Sequence, residues 1–169
     1  MDVMPEILHR RSVRSFSSQP VDKEQLDRIL EAGRLAPSAK NRQEWRFVVV
    51  QKRDVQERLM EAAFGQEVVG QAPVLIAVCT TNIDYRMPNG QLAYPIDLAF
   101  AASFIMLQAV HEGLGTCCMS TFDEQEVREI LTVPFSMRVV LLILVGQAAE
   151  VPEQTPRKGL RQISGREHW

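Results

Sequence analysis

The apolar positions of this chain recur with two periods, one near 3.6 residues and one of two, and predict helices interleaved with short strands. Over residues 3–9, Val3, Met4, Ile7 and Leu8 stand at helical spacing, with Pro5 tolerated in the first turn. Asp22 and Gln25 have the spacing of a capping box, and Val21 stands where a hydrophobic staple would. Leu26, Ile29 and Leu30 then make the stripe of a second helix, which Gly33 is expected to stop. A polar loop over 36–44 leads into a strand, 45–50, built from Trp, Phe and three Val. Residues 54–63 are helical, with Val55, Leu59 and Met60 on one side; residues 73–80 are apolar enough for a strand buried on both faces.

The second half repeats the scheme. A loop over 82–92 with an Asn89-Gly90 turn precedes the longest helix, 94–112. That helix is apolar almost all round, which makes it a central buried helix or part of a subunit interface. Gly113 and Gly115 end it, and 116–121 is a short strand or extended turn. Asp123, with Glu126 three residues on, caps a helix running to Leu131; residues 138–146 form the last core strand. The resulting order predicts an α+β fold, a small mixed sheet covered by helices, in a single domain over 1–169. The tail, 147–169, is too polar to fold alone and is expected to wrap a neighbouring subunit.

Composition narrows the function classes. A formal net charge of -2 gives no overall pull toward nucleic acid or an anionic membrane, so neither is expected as a partner. The longest uninterrupted apolar run, 139–145, is strand-sized, and the acidic start (Asp2) carries no signal-peptide core; a cytoplasmic protein is expected. Cys79, Cys117 and Cys118 are odd in number, with two adjacent, which argues against a disulfide framework. No CxxC is present and His9, His111 and His168 are scattered, so no metal site is expected. The cysteines read as small buried hydrophobes, Cys118 included, because no basic neighbour in sequence activates its thiol.

Three segments carry chemistry. Arg10-Arg11-Ser12-Val13-Arg14 sets guanidinium groups around a hydroxyl, which suits a phosphate dianion; alternatively, Arg10 and Arg11 complement the C-terminal dipole of the first helix. The segment 37–45 supplies short donors and acceptors on a constrained loop, suited to the polar edge of a heterocycle or to an ordinary entry into a strand. Gly113 to Thr121 has glycines that admit close backbone approach to a flat ligand, or simply stop a helix.

The succession matters more than its parts. Arg-Arg-Ser-x-Arg-x-Phe, then Pro-Ser-x-x-Asn-x-Gln-x-Trp-x-Phe, then Gln-x-x-x-x-Ala-Pro, then Gly-Leu-Gly-Thr-Cys after a long apolar helix resembles the FMN-dependent nitroreductase family over essentially the whole chain. The resemblance implies an intertwined homodimer with FMN at its interface, reduced by NADH or NADPH. It implies that Arg10, Ser12 and Arg14 hold the FMN phosphate with Arg11 close by, and that Arg157 and Lys158 reach it from the tail. Pro37, Ser38, Ala39 and Asn41 of the other subunit would line the ring and ribityl chain, Gln66 would lie near the pyrimidine side, and Cys118, Met119, Ser120 and Thr121 would run along the ring edge. No catalytic side chain is implied, because the flavin N5 carries the hydride to a small-molecule electron acceptor such as a nitroaromatic or quinone. The alternatives are a non-catalytic flavin-binding or storage protein, and a relative that uses reduced flavin for another reaction such as dehalogenation. Glu44, Cys118 and Thr121 depart from the residues common in the family at those positions.

Overall fold

The computed structural model describes residues 3–168. Met1, Asp2 and Trp169, and with them the acidic start and the outermost ends of the expected domain, lie outside the described residues. The first helix, α1, is Pro5–His9, and α2 is Lys23–Arg34. The Asp22–Gln25 capping box forms as its spacing predicts: the Asp22 carboxylate accepts the Glu24 and Gln25 N–H groups, and Gln25 Oε1 accepts the Asp22 N–H. Gly33 does not stop this helix; it lies inside its last turn, where a Cβ would stand 2.8 Å from Ile105 Cγ1. A bare Cα there lets α2 close onto the longest helix, α5 (Ala93–His111).

Four strands, β1 (Trp45–Val50), β2 (Val74–Thr80), β3 (Gly115–Met119) and β4 (Arg138–Gly146), form one sheet in the order β1-β2-β4-β3. Every pairing between them is antiparallel. The parallel component of the expected mixed sheet is one bridge, between Ser12 and Thr116 on the outer edge of β3. Central β2 is buried along its whole length, as its continuous apolar run predicts, because helices cover both faces. On one face Ile76, Val78, Ile143 and Val145 pack with Ile29 of α2 and with Leu98 and Ile105 of α5. On the other, Leu75, Ala77, Leu142 and Leu144 meet Leu59 of α3 (Arg53–Ala62), Val69 of α4 (Glu67–Gln71) and Val127 of α6 (Glu124–Leu131). Each Val, Leu or Ile among them, fully withdrawn from water, contributes about 1.5–3 kcal/mol.

Two helices escape the periodicity: α4, and α7 (Leu160–Ile163) in the tail. α4 has only the adjacent pair Val68 and Val69, and α7 a single pair, Leu160 and Ile163, which is too little to set a 3.6-residue repeat. Contrary to the expectation from uninterrupted apolar runs, α5 has the length and composition to cross a bilayer. It is used instead as the core helix, with Ala93, Asp97, Leu98, Ala101, Ala102, Ile105 and Ala109 buried along one side. On its other side Phe100 and Phe104 remain exposed, as do Met4 at the N-cap of α1 and Ile7 and Leu8 within α1, which packs beside α5. That apolar surface stands uncovered on a single copy of the chain.

Candidate flavin-phosphate site

The arginine-rich segment is held as an extended rim between two parts of the sheet. Val13 N–H donates to Thr116 O at 2.9 Å, Ser17 N–H to Gln147 O at 2.9 Å, and Ala149 N–H to Ser15 O at 2.9 Å. Extended backbone alternates its side chains, so Val13 enters the core while Ser12 and Arg14 face out; Phe16, out of step with that alternation, turns into the core three residues on. Gly115 makes this docking close: a Cβ there would lie 2.6 Å from Val13 Cγ2. The glycine thus admits Val13 rather than a flat ligand, which differs from the reading of the Gly113–Gly115 pair as a ligand-approach feature.

Arg10, Arg11, Ser12, Arg14 and Ser15 form one wall of a cleft of about 400 Å³. The start of the tail supplies the other wall, with Glu150, Glu153, Thr155 and Arg157. Four arginines against two glutamates leave the cleft cationic. Among the described residues, Arg10, Arg14 and Arg157 take part in no ion pair. Arg11 is different. Its Nη1 turns back to Leu8 O at 2.7 Å and Arg10 O at 2.9 Å, so this side chain caps the end of α1 as the dipole alternative describes. Arg157 Nη1 donates to Thr155 Oγ1 at 2.7 Å and Thr155 O at 3.1 Å, which braces it in the tail wall. Lys158 follows it but does not line the cleft.

Beyond the cleft, β3 runs out toward Ser120 and Thr121. Cys118, Ser120 and Thr121 are exposed in succession; Met119 is not. Met119 points into the core under Leu142, a correction to its expected place on the ring edge, because strand alternation sends it to the face opposite Cys118. Cys118 is exposed, contrary to its reading as a small buried hydrophobe, yet partial desolvation of its thiol, and then the neighbouring Cys117, push that thiol up, against a smaller opposing pull from Arg10. With the net shift upward, the thiol is not activated. Cys117 is likewise raised by burial, and Cys79 to about 11 for the same reason. Gln66, the residue before α4, donates through Nε2 to Ala63 O at 3.1 Å and Thr121 O at 3.0 Å. The structure thus brings Gln66 and Thr121 together.

The loop holding Pro37, Ser38, Ala39 and Asn41 does not join this cleft within one chain. It precedes β1, at the sheet edge opposite β3. A 3-10 turn over Ala39–Asn41 shapes it, with positive φ at Lys40 (53°), Asn41 (55°) and Gln43 (53°). Non-glycine residues held in that region cost of order 1–3 kcal/mol each and persist only where surroundings over-determine them. Here Ser38 Oγ accepts the Gln43 N–H at 3.0 Å, and Gln43 Nε2 donates to Asn41 Oδ1 at 3.0 Å. Glu44, which departs from the family pattern, accepts from Arg42 Nε at 3.1 Å and Asn82 Nδ2 at 3.2 Å through one oxygen, Oε1. Arg42 also stacks 4.3 Å above the Tyr85 ring. Sequence reasoning passed over this network, and over Asp97, whose one signal is an acid in an otherwise apolar helix.

A family model described as "Nitroreductase family" matches residues 7–67 and 61–147. A protein named NADH dehydrogenase from Thermus thermophilus is 31% identical over 194 residues, covering 96% of this chain and 95% of that protein. FMN reductase [NAD(P)H] of Bacillus subtilis is 27% identical, covering 99% of this chain and 74% of that protein. Among solved structures, a nitroreductase family protein from Clostridium difficile 630 superposes with a TM-score of 0.88 at 27% identity, covering 100% of both chains.

Proposed function

The chain belongs to the nitroreductase family, and from that premise we propose that it is an NAD(P)H-dependent oxidoreductase holding FMN phosphate in the Arg10–Arg14–Arg157 cleft. The carrying observation is that arginines from both ends of the chain converge on one cationic cleft and, among the described residues, none of them is in an ion pair. Such a cleft fits a phosphate dianion: Arg10, Arg14 and Arg157 supply charge-assisted hydrogen bonds, and Ser12 a hydroxyl beside them. Arg11 acts one step removed, by fixing the end of α1 that carries Arg10. Lys158 follows Arg157 in the chain but stands outside the cleft lining.

FMN held there would supply the two-electron chemistry that links a reduced nicotinamide to the acceptor. Around it, Cys118, Ser120 and Thr121 offer an exposed edge, with Gln66 holding the Thr121 backbone in place. A second copy covers the exposed Phe100, Phe104, Met4, Ile7 and Leu8, and brings its own Pro37, Ser38, Ala39 and Asn41 over the ring and ribityl chain. No side chain is assigned as acid or base. The acceptor is a small conjugated molecule, a nitroaromatic, quinone or similar. The 82–92 loop is too short for an elaborate lid. Three free thiols fit the reducing setting of the cytoplasm.

The purified protein should be yellow, and NADH or NADPH should bleach it in the absence of air. Steady-state nucleotide oxidation with menadione or nitrofurazone then separates turnover from flavin storage. Bound FMN that neither nucleotide reduces within minutes would sink the oxidoreductase reading.

A further inference from the structure

The loop assigned above to the flavin is anchored from beneath by a residue that so far has no role. Asp97 stands on α5 between Ala93, Leu98 and Ala101, 4% exposed, in the most apolar helix of the molecule. A carboxylate in such surroundings is unfavourable unless hydrogen-bonded. Its Oδ1 accepts the Ala39 N–H at 2.9 Å. That N–H opens the 3-10 turn, so it is one of the donors such a turn cannot satisfy internally.

The turn has two supports. The outer one, Glu44 with Arg42, Asn82 and Tyr85, is half-buried and reached by water through the exposed Arg42, which weakens the ion pair. The inner one is Asp97, buried and bonded to backbone, and it ties the turn to the helix on which the sheet itself is packed. Lys40 and Asn41 follow Ala39 directly in the left-handed region, so the direction in which they leave depends on where Ala39 is held.

We propose that Asp97 is a positioning residue for the flavin: by holding the Ala39 N–H it sets the Ser38–Asn41 turn that covers the ring. This rests on the reading that the turn meets FMN. Asp97→Ala removes the acceptor, while Asp97→Asn keeps an oxygen there. In the holoprotein, Asp97→Ala should weaken FMN binding about tenfold, the lower range for leaving a buried donor unpaired. It should also alter the visible circular dichroism of the flavin at saturating FMN, and Asp97→Asn should restore both. A merely structural role would lower the melting temperature and leave the dichroism of bound flavin unchanged.

Wild-type affinity and wild-type dichroism in Asp97→Ala overturn the proposal. Arg10→Ala and Arg14→Ala, measured alongside, keep the two readings apart. If they weaken FMN and Asp97→Ala does not, only the positioning role fails. If neither arginine matters, the phosphate site fails, and the dichroism of Asp97→Ala still decides the turn. Should Asp97→Ala not fold, hydrogen exchange in the wild-type holoprotein decides: a protected Ala39 amide supports the anchor, and exchange at the free-peptide rate overturns it.

Discussion

Val13 occupies the space that a side chain on Gly115 would need, its Cγ2 2.6 Å from the ideal Cβ position. One strand start and one arginine-rich rim are thereby fitted to each other, and the neighbouring Val13 N–H to Thr116 O bond at 2.9 Å fixes their register. The cationic cleft is a consequence of this contact, because Ser12 and Arg14 flank Val13 and face the opposite way.

Gly115→Ala should therefore act on the cofactor through packing. Overfilling a close contact costs about 1–3 kcal/mol. Thermal unfolding should show that loss in the apoprotein, and FMN titration should show weaker binding as the rim shifts. A variant with wild-type melting and wild-type affinity would mean that the rim is not seated by Val13.

The three N-terminal arginines should separate by role. Arg10→Ala and Arg14→Ala should each weaken FMN binding by roughly 1.5–3 kcal/mol, the range for a hydrogen bond to a charged group. Arg11→Ala should weaken it less and lower the melting temperature, since this side chain serves the α1 carbonyls. Calorimetric titration of the three variants checks the order; equal losses at all three would contradict it.

Stability should have an acid limb traceable to one carboxylate. Arg28 grips Glu112 with Nε at 2.7 Å and Nη2 at 2.8 Å, joining α2 to the end of α5. This bond first, and the Gln108 amide with it, hold the Glu112 carboxyl at about 2, against an ordinary 4.5. A carboxyl held low in the folded state stabilises it above the unfolded titration near 4.5, and that contribution disappears as pH falls toward about 2. Glu112→Gln should therefore melt a few degrees lower at neutral pH. The gap to wild type should close on acidification through that window; a gap that persists undiminished at the acid end would refute the linkage.

Much of the fold was legible because its signals are local. The Asp22–Gln25 box, the four strands and the Asp123 cap each depend on spacings of two to four residues, and they formed at or within two residues of the expected places, β3 spanning Gly115–Met119 rather than 116–121. The site was legible in part. Arg10, Ser12, Arg14 and Arg157 do share one cleft. Met119 was misplaced because its face is set by β3 pairing with β4, and Gly33 because its reason is Ile105 on another helix. Asp97 was passed over because a lone acid in an apolar helix has no meaning until its partner, Ala39, is known.

By itself the sequence determined the family, the order of elements and which positions are apolar, since these follow from periodicity and motif spacing along the chain. Only the tertiary structure decided which arginine caps a helix and which faces the cleft, which glycine admits a neighbour, and what holds the strained 37–43 turn. Those outcomes depend on contacts between residues far apart in the chain, and steric exclusion and hydrogen-bond satisfaction act on distance in space, which no local pattern encodes.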